Sequence, residues 1–226
     1  MTSVYGNDAE MQSIAEAFNA GRGTIKQLYR YCELAGKHYG AVFQDALGSF
    51  ESITYDETSD IMRDALSELW ADISGAAAQV HQGKLQRAGI SFRATQAALD
   101  ADMVNNLIYK VTGGNDAAVE DTKWAADSRV IGEFAKGAAN ETLEENTERL
   151  QEAGVTVRMT RSSNGKCCDW CESVCGSYQK GSEPADFWRT HADCTCTIDY
   201  VPSKGRASRV GWQTVNGRLR RTTTTL

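Results

Sequence analysis

The sequence predicts an α+β protein: a mainly helical N-terminal body, residues 1–154, then a small β module stapled by cysteine and histidine, residues 155–202, then a basic C-terminal tail, residues 203–226. Three observations carry this. Apolar residues recur at helical spacing through most of the first 154 positions, the period switches to strict alternation at Val155, and six of the seven cysteines fall between Asn164 and Tyr200.

The first helical stretch runs from about Asp8 to Phe50, broken near Gly21 and Gly23. Cys32 and His38 lie inside its pattern and read as core or helix-face residues, since no second soft ligand stands near either in sequence. The segment DETSDIMRDALSELWADISGAAAQV is the clearest amphipathic helix. Ile61, Ala65, Leu66, Leu69, Trp70, Ile73 and Val80 form one stripe, with Thr58, Ser59 and Asp60 as capping candidates. His81, at the polar end, reads as solvated. RATQAALDADMVNNLIYKVTGG predicts a further helix over 93–114, closed by Gly113 and Gly114, and DSRVIGEFAKGAANETLEENTERLQEAG a long one ending at Gly154, a residue suited to the left-handed cap. Glu141, Glu144, Glu145, Glu148 and Glu152 read as an exposed acidic face. After Gly154, Val155, Val157 and Met159 alternate with Thr156, Arg158 and Thr160, and Cys194, Cys196, Ile198 and Tyr200 alternate with Thr195, Thr197 and Asp199. Two strands therefore bracket the cysteine segment.

Charge is unevenly distributed. Residues 1–160 hold 24 acidic and 14 basic side chains, a balance of −10, whereas residues 161–226 hold 6 and 10, a balance of +4. The last 26 residues carry six Lys or Arg and no acid. Of these, Lys204, Arg206, Arg218, Arg220 and Arg221 are the candidate contacts to nucleic acid or an acidic protein surface, a solvated tail being the plainer reading. The N-terminus shows no basic start followed by an apolar core, and no run approaches the roughly 18 apolar residues of a membrane span. The expectation is a non-secreted protein made in a reducing cytoplasm, with no membrane association, where clustered cysteines hold metal more readily than they pair.

The ligand spacing supports that expectation. Cys168 and Cys171 form C-x-x-C, and His191, Cys194 and Cys196 form H-x-x-C-x-C. Residues two apart on a strand point the same way, so Cys194 and Cys196 can both face the first pair. Zinc suits such a set, taking four nitrogen or sulfur ligands tetrahedrally without redox change. Cys168, Cys171 and Cys194 are the firmest ligands, and the fourth is His191 or Cys196. Cys167 and Cys175 are surplus, Cys175 reading as a small buried apolar residue beside Gly176. A catalytic zinc keeps an open position and an adjacent acid or base. WRTHADCTC offers Asp193 but no H-x-E, and the segment has no second histidine, so a closed structural site is the expectation.

The run VRMTRSSNGKCCDWCESVCGSY, followed by PADFWRTHADCTCTIDY, resembles the C-terminal module of tailed-bacteriophage minor head proteins, the Mu F-like head morphogenesis family. Cys168, Cys171, Gly176, His191, Cys194 and Cys196 match that family's pattern position by position, and Phe187, Trp188 and Arg189 resemble the phenylalanine-arginine pair before its histidine. The helix ETLEENTERLQEAG is similar to the segment upstream of the module in prophage versions. The resemblance covers roughly residues 125–205, and residues 1–120 take no part in it. One departure is Val174-Cys175-Gly176, where many relatives carry Leu-Asp-Gly or Leu-Ala-Gly.

What the resemblance implies is a minor capsid or head morphogenesis protein: structural rather than enzymatic, made in the host bacterial cytoplasm, built into the virion head in several copies, and associated with the portal or major capsid protein during assembly and DNA delivery. The basic tail would then lie against the portal or the packaged DNA. The alternative is a packaged zinc-dependent nuclease or hydrolase. Disulfides in place of metal become attractive only once the particle has left the reducing cell.

Overall fold

The computed structural model describes residues 8–48, 54–112, 128–163, 168–191, 194–203, 208–215 and 218–225. Asp8 starts helix α1 (Ala9–Asn19): its carboxylate accepts from the backbone N–H groups of Glu10 and Met11 at 3.0 Å, satisfying donors that have no intrahelical partner. Met11, Ile14 and Phe18 turn inward. Gly21, at φ +67°, closes the turn to α2 (Ile25–Gly48). That turn lies hard against α3 (Tyr55–Arg87), where a Cβ on Gly83 would stand 2.5 Å from the Gly21 carbonyl oxygen. Arg87 donates to the carbonyls of Gly21 and Gly23, fastening the turn to the end of α3.

Two sequence expectations for α3 are corrected. Its cap is Thr54 rather than Thr58, Ser59 or Asp60: Thr54 and Glu57 form a reciprocal capping box, while Thr58 and Ser59 are buried inside the helix. The helix also runs past Val80 to Arg87, and this carries His81 into the core rather than to the surface. The expected stripe is otherwise as read. Leu66, Leu69, Trp70, Ile73 and Val80 are buried, each such side chain contributing about 1.5–3 kcal/mol on leaving water.

The helix expected over 93–114 begins only at Ala101, as α4 (Ala101–Thr112), with the Asp100 carboxylate accepting from the N–H groups of Asp102 and Met103. Gly113 and Gly114 lie outside the described residues. Residues 90–100 stay non-helical because side chains of neighbouring helices take their backbone groups. Gln82 bonds Phe92 O and Ala94 N, Asn146 bonds Thr95 on both its N–H and its carbonyl, Thr142 accepts from Ala97 N, and Trp70 Nε1 donates to Ala97 O at 3.3 Å. Tertiary partners thus replace intrahelical ones.

Helix α5 (Ser128–Glu152) lies against α2 and α3. Buried Ala135, Ala138 and Ala139 leave room for that approach, and Ile131, Phe134, Leu143 and Leu150 complete the contact. It ends as expected at Gly154, φ +82°, with Val155 N donating to Leu150 O at 2.9 Å. Its acids are less exposed than the sequence suggests. Glu148 and Glu152 face water, whereas Glu141, Glu144 and Glu145 are half-buried. Burial, reinforced by the neighbouring Glu148, Glu183 and Glu141 over the opposing pull of Lys180, raises Glu144 to about 7.

After α5 come β1 (Thr156–Ser162), a short helix α6 (Asp169–Val174), β2 (Gly176–Gln179) and β3 (Thr197–Ser203). They form an antiparallel sheet in the order β2-β1-β3, with Met159 opposite Tyr178 on one side and Tyr200 on the other. The protein is therefore α+β, mainly helical with a small sheet. Val157, Met159, Ile198 and Tyr200 on the sheet, with Phe187 and Trp188 from the connecting loop, belong to the same apolar cluster as the helices. Lys180, nearly buried, extends from the end of β2 to Glu148 at 3.1 Å and Glu183 at 2.9 Å.

The outer edge of β3 has no open donor. Ile198 N donates to Tyr29 Oη at 3.1 Å, Tyr200 N to the Asp199 carboxylate at 2.7 Å, and Pro202, the next position of the same parity, has no N–H. Beyond it, β4 (Ser208–Val215) and β5 (Arg218–Thr225) pair as an antiparallel hairpin, so the segment read as a tail contains regular structure. Arg218, Arg220 and Arg221 stand on β5, opposite Val215, Gln213 and Trp212, while Lys204 and Arg206 lie outside the described residues. Among the described residues no helix is long and apolar enough to cross a membrane.

Candidate metal centre

Each ligand arrives on a different kind of support. Cys168 is the N-cap of α6, its Sγ accepting from Cys171 N at 3.4 Å, so the C-x-x-C pair is spaced by one helical turn. The expected strand through Cys194 and Cys196 begins only at Thr197, yet the alternation persists: both cysteines are buried and Thr195 is exposed. His191 reaches the pair from the loop after Trp188, its ring edge-on to Trp170 with centroids 5.2 Å apart.

All five predicted ligands meet, in two groups that share Cys171. Cys168, Cys171 and His191 form one, and Cys171, Cys194 and Cys196 the other, the ligand atoms of each lying within 4.8 Å of one another. His191 Nε2 stands 2.8 Å from Cys171 Sγ and 3.4 Å from Cys168 Sγ, and Cys171 Sγ is 3.7 Å from Cys194 Sγ. Cys168 is exposed at the rim; Cys171, Cys194 and Cys196 are buried. The cluster can hold a metal ion. Cys175, expected to be buried, is only half-buried, and Cys167 and Asp193 lie outside the described residues.

Two cations missed by sequence reasoning support the cluster. Arg161, on β1 and 2% exposed, donates to the carbonyls of Phe187 and Arg189, directs a guanidinium nitrogen to within 3.7 Å of Cys194 Sγ, and stacks over Trp170. Lys136, buried on α5, donates to Cys194 O at 2.8 Å and pairs with Glu133. Burial pushes the thiols of Cys171 and Cys194 up; at Cys196 burial also opposes ionisation, but contacts from Cys171 and Arg161 outweigh it and hold this thiol below its usual value. The alternating run as read from the sequence stops at Thr160, and Arg161 follows it in phase with the buried Val157 and Met159.

The loop carrying the ligands is tied to the helices by one buried chain of hydrogen bonds. Ile198 N donates to Tyr29 Oη, Tyr29 donates to Asn140 Oδ1 at 2.5 Å, and Asn140 Nδ2 donates to Trp188 O at 2.8 Å.

His81 is not part of the centre. It is wholly buried on α3, stacked on Tyr200 and hydrogen-bonded to its hydroxyl through Nδ1. Burial first, then the charges of Lys84 and Arg149, lower it to about 3, so it is neutral.

The fold and site define a helical body with an attached β module and a clustered Cys/His centre able to take a metal. No family model matches the chain, and no curated protein or solved structure matches it either.

Proposed function

We propose that the protein is a structural component of a tailed-phage head, a minor capsid or head morphogenesis protein without enzymatic activity, whose Cys/His centre is a zinc clip that fixes the β module to the helical body. The observation that carries this reading is the convergence of four soft ligands on a fifth, Cys171, at a largely buried site. Three thiolates and a neutral imidazole around a divalent cation leave one net negative charge, and buried Arg161 is placed to offset it. Such a closed, charge-balanced set suits a structural ion.

The wider assignment is supported by the resemblance of Cys168, Cys171, Gly176, His191, Cys194 and Cys196 to the Mu F-like module. On this reading the protein is made in the bacterial cytoplasm and enters the virion in several copies. It contacts the portal or major capsid protein, and the basic strands after Ser203 meet portal or DNA.

Two measurements test it. Protein purified under reducing conditions should carry one zinc per chain, and quantitative mass spectrometry of purified particles should find it at a fixed low ratio to the portal. Metal-free protein would overturn the clip, and absence from particles would overturn the head assignment.

One observation favours the packaged nuclease or hydrolase instead. A cleft of about 390 Å³ reaches His191 and is also lined by Asp100, Asp102 and Glu133, acids that could serve a metal-bound water. Turnover of DNA or an ester that disappears in Asp102→Asn, with the zinc retained, would establish that reading over the structural one.

A further inference from the structure

We infer that Cys175 and Cys196 form a disulfide site beside the metal ligands, closed by peroxide once the protein leaves reducing surroundings. The inference rests on the zinc clip proposed above and decides which ligands that clip uses. Two sulfurs bonded to one tetrahedral zinc stand about 3.8 Å apart, and Cys171 and Cys194 already stand at 3.7 Å. Cys168 and His191 group with Cys171 as Cys196 groups with Cys171 and Cys194; we assign the other two positions to Cys168 and His191 because they stand 3.4 Å apart and His191 stands 2.8 Å from Cys171. Four ligands are then assigned, and Cys196 is left over.

Its neighbour is Cys175, which is outside both ligand groups. Cys196 Sγ lies 4.0 Å from Cys175 Sγ, a gap that small side-chain rotations reduce to the roughly 2.05 Å of a disulfide. The two differ in access. Cys175, half-buried where α6 ends, can be reached from solvent, while Cys196 sits buried behind it.

This order of exposure fixes the chemistry. The Cys175 thiolate attacks one oxygen of hydrogen peroxide, the O–O bond breaks, and the departing hydroxide takes a proton to become water, leaving a sulfenic acid on Cys175. Cys196 sulfur then displaces the sulfenic hydroxyl, its proton leaving with that group as a second water, and the S–S bond forms. Two thiols are oxidised and one peroxide is reduced to two waters.

The bond closes the loop from Cys175 to Cys196, which carries β2, His191 and Cys194. A covalent tie then holds in one piece the loop that delivers two of the four ligands, so the metal leaves more slowly.

The test uses the full chain, reduced and zinc-loaded, treated with hydrogen peroxide and read by non-reducing peptide mapping together with the rate of zinc loss to EDTA. We expect a Cys175–Cys196 crosslink, zinc retained, and loss to chelator slowed about tenfold. Cys175→Ser should bind zinc as the unaltered chain does, form no such crosslink and keep the reduced rate. Zinc bound with crosslinks elsewhere, or with Cys175 still open to alkylation, would overturn the disulfide site while leaving the clip standing. Reduced protein that binds no zinc would overturn the clip, and the ligand assignment with it.

Discussion

The molecule contains two interiors of different kinds. One is a large apolar cluster running from Met11 in α1 through α2, α3 and α5 to Tyr200 in the sheet; the other is Cys171, Cys194 and Cys196, with Trp170 and Cys175 packed beside them. The first is stabilised by area removed from water and requires nothing beyond the chain. The second is too small for that, since a few cysteines bury little surface, and it gathers ligands and a buried cation instead. If the zinc clip proposed above is present, local order around α6 depends on a bond to an ion, whereas order in the helices of the body does not.

Removing the ion should therefore produce the largest effect and should discriminate between the interiors. Chelation, or Cys171→Ser, is expected to cost several kcal/mol and lower the melting temperature by about 10 °C or more. In hydrogen exchange, amides of α6 and β2 should lose protection while α2 and α5 keep theirs. Simultaneous loss in α5 would mean that the two interiors form one cooperative unit.

The reciprocal change is Trp70→Ala. This buried indole is tilted against Phe134 and donates to Ala97 O, and its truncation should cost about 3–5 kcal/mol in urea unfolding while metal stoichiometry stays the same. Loss of the metal along with stability would break the distinction from the other side.

Asn140→Ala probes the bridge between them. It leaves the Tyr29 hydroxyl without its acceptor and Trp188 O without its Asn140 donor, both buried, so about 1–3 kcal/mol should be lost. Because Trp188 precedes the His191 loop, metal affinity measured against a competing chelator should fall as well. Lost stability with unchanged affinity would show that the ligand loop is held by the ion alone.

Acid should act on the apolar interior through His81. Its folded pKa, about 3, is below the 6.5 of an exposed imidazole, so the unfolded chain binds the extra proton between those values and stability falls as pH drops through that window. The expected slope approaches about 1.4 kcal/mol per pH unit near pH 5. His81→Phe should flatten the urea midpoint between pH 7 and 5 relative to the unaltered chain; an identical slope in both would remove His81 as the cause.

How far these features could be read from sequence depends on the range of the interactions involved. The end of α5 at Gly154, the switch to alternation and the Cys/His spacing are local patterns, and they survive in the structure. His81 was misread because the helix was ended at Val80, ahead of Leu85 on the same face; it packs against Tyr200, 119 positions away, delivered by β3. The non-helical path of residues 90–100 has the same origin, in Gln82, Thr142 and Asn146 on α3 and α5. The TYDE run at Thr54–Glu57, in contrast, is a local capping signal that the sequence did contain. Arg161 and Lys136 became partners of the cluster only once β1 and α5 were brought beside it.

The closed rim of β3 bears on what happens when many copies of the chain are crowded together. A strand arriving from a neighbouring molecule would find no N–H to bond along that side, because one is held by a phenol, one by a carboxylate, and one is abolished by proline. Runaway sheet growth, the hazard of any exposed strand, is blocked at that side whatever the local concentration. Copies brought together there must meet through side chains on the sheet's outer surface, where Val201 is exposed, and such contacts can form and separate without unzipping backbone.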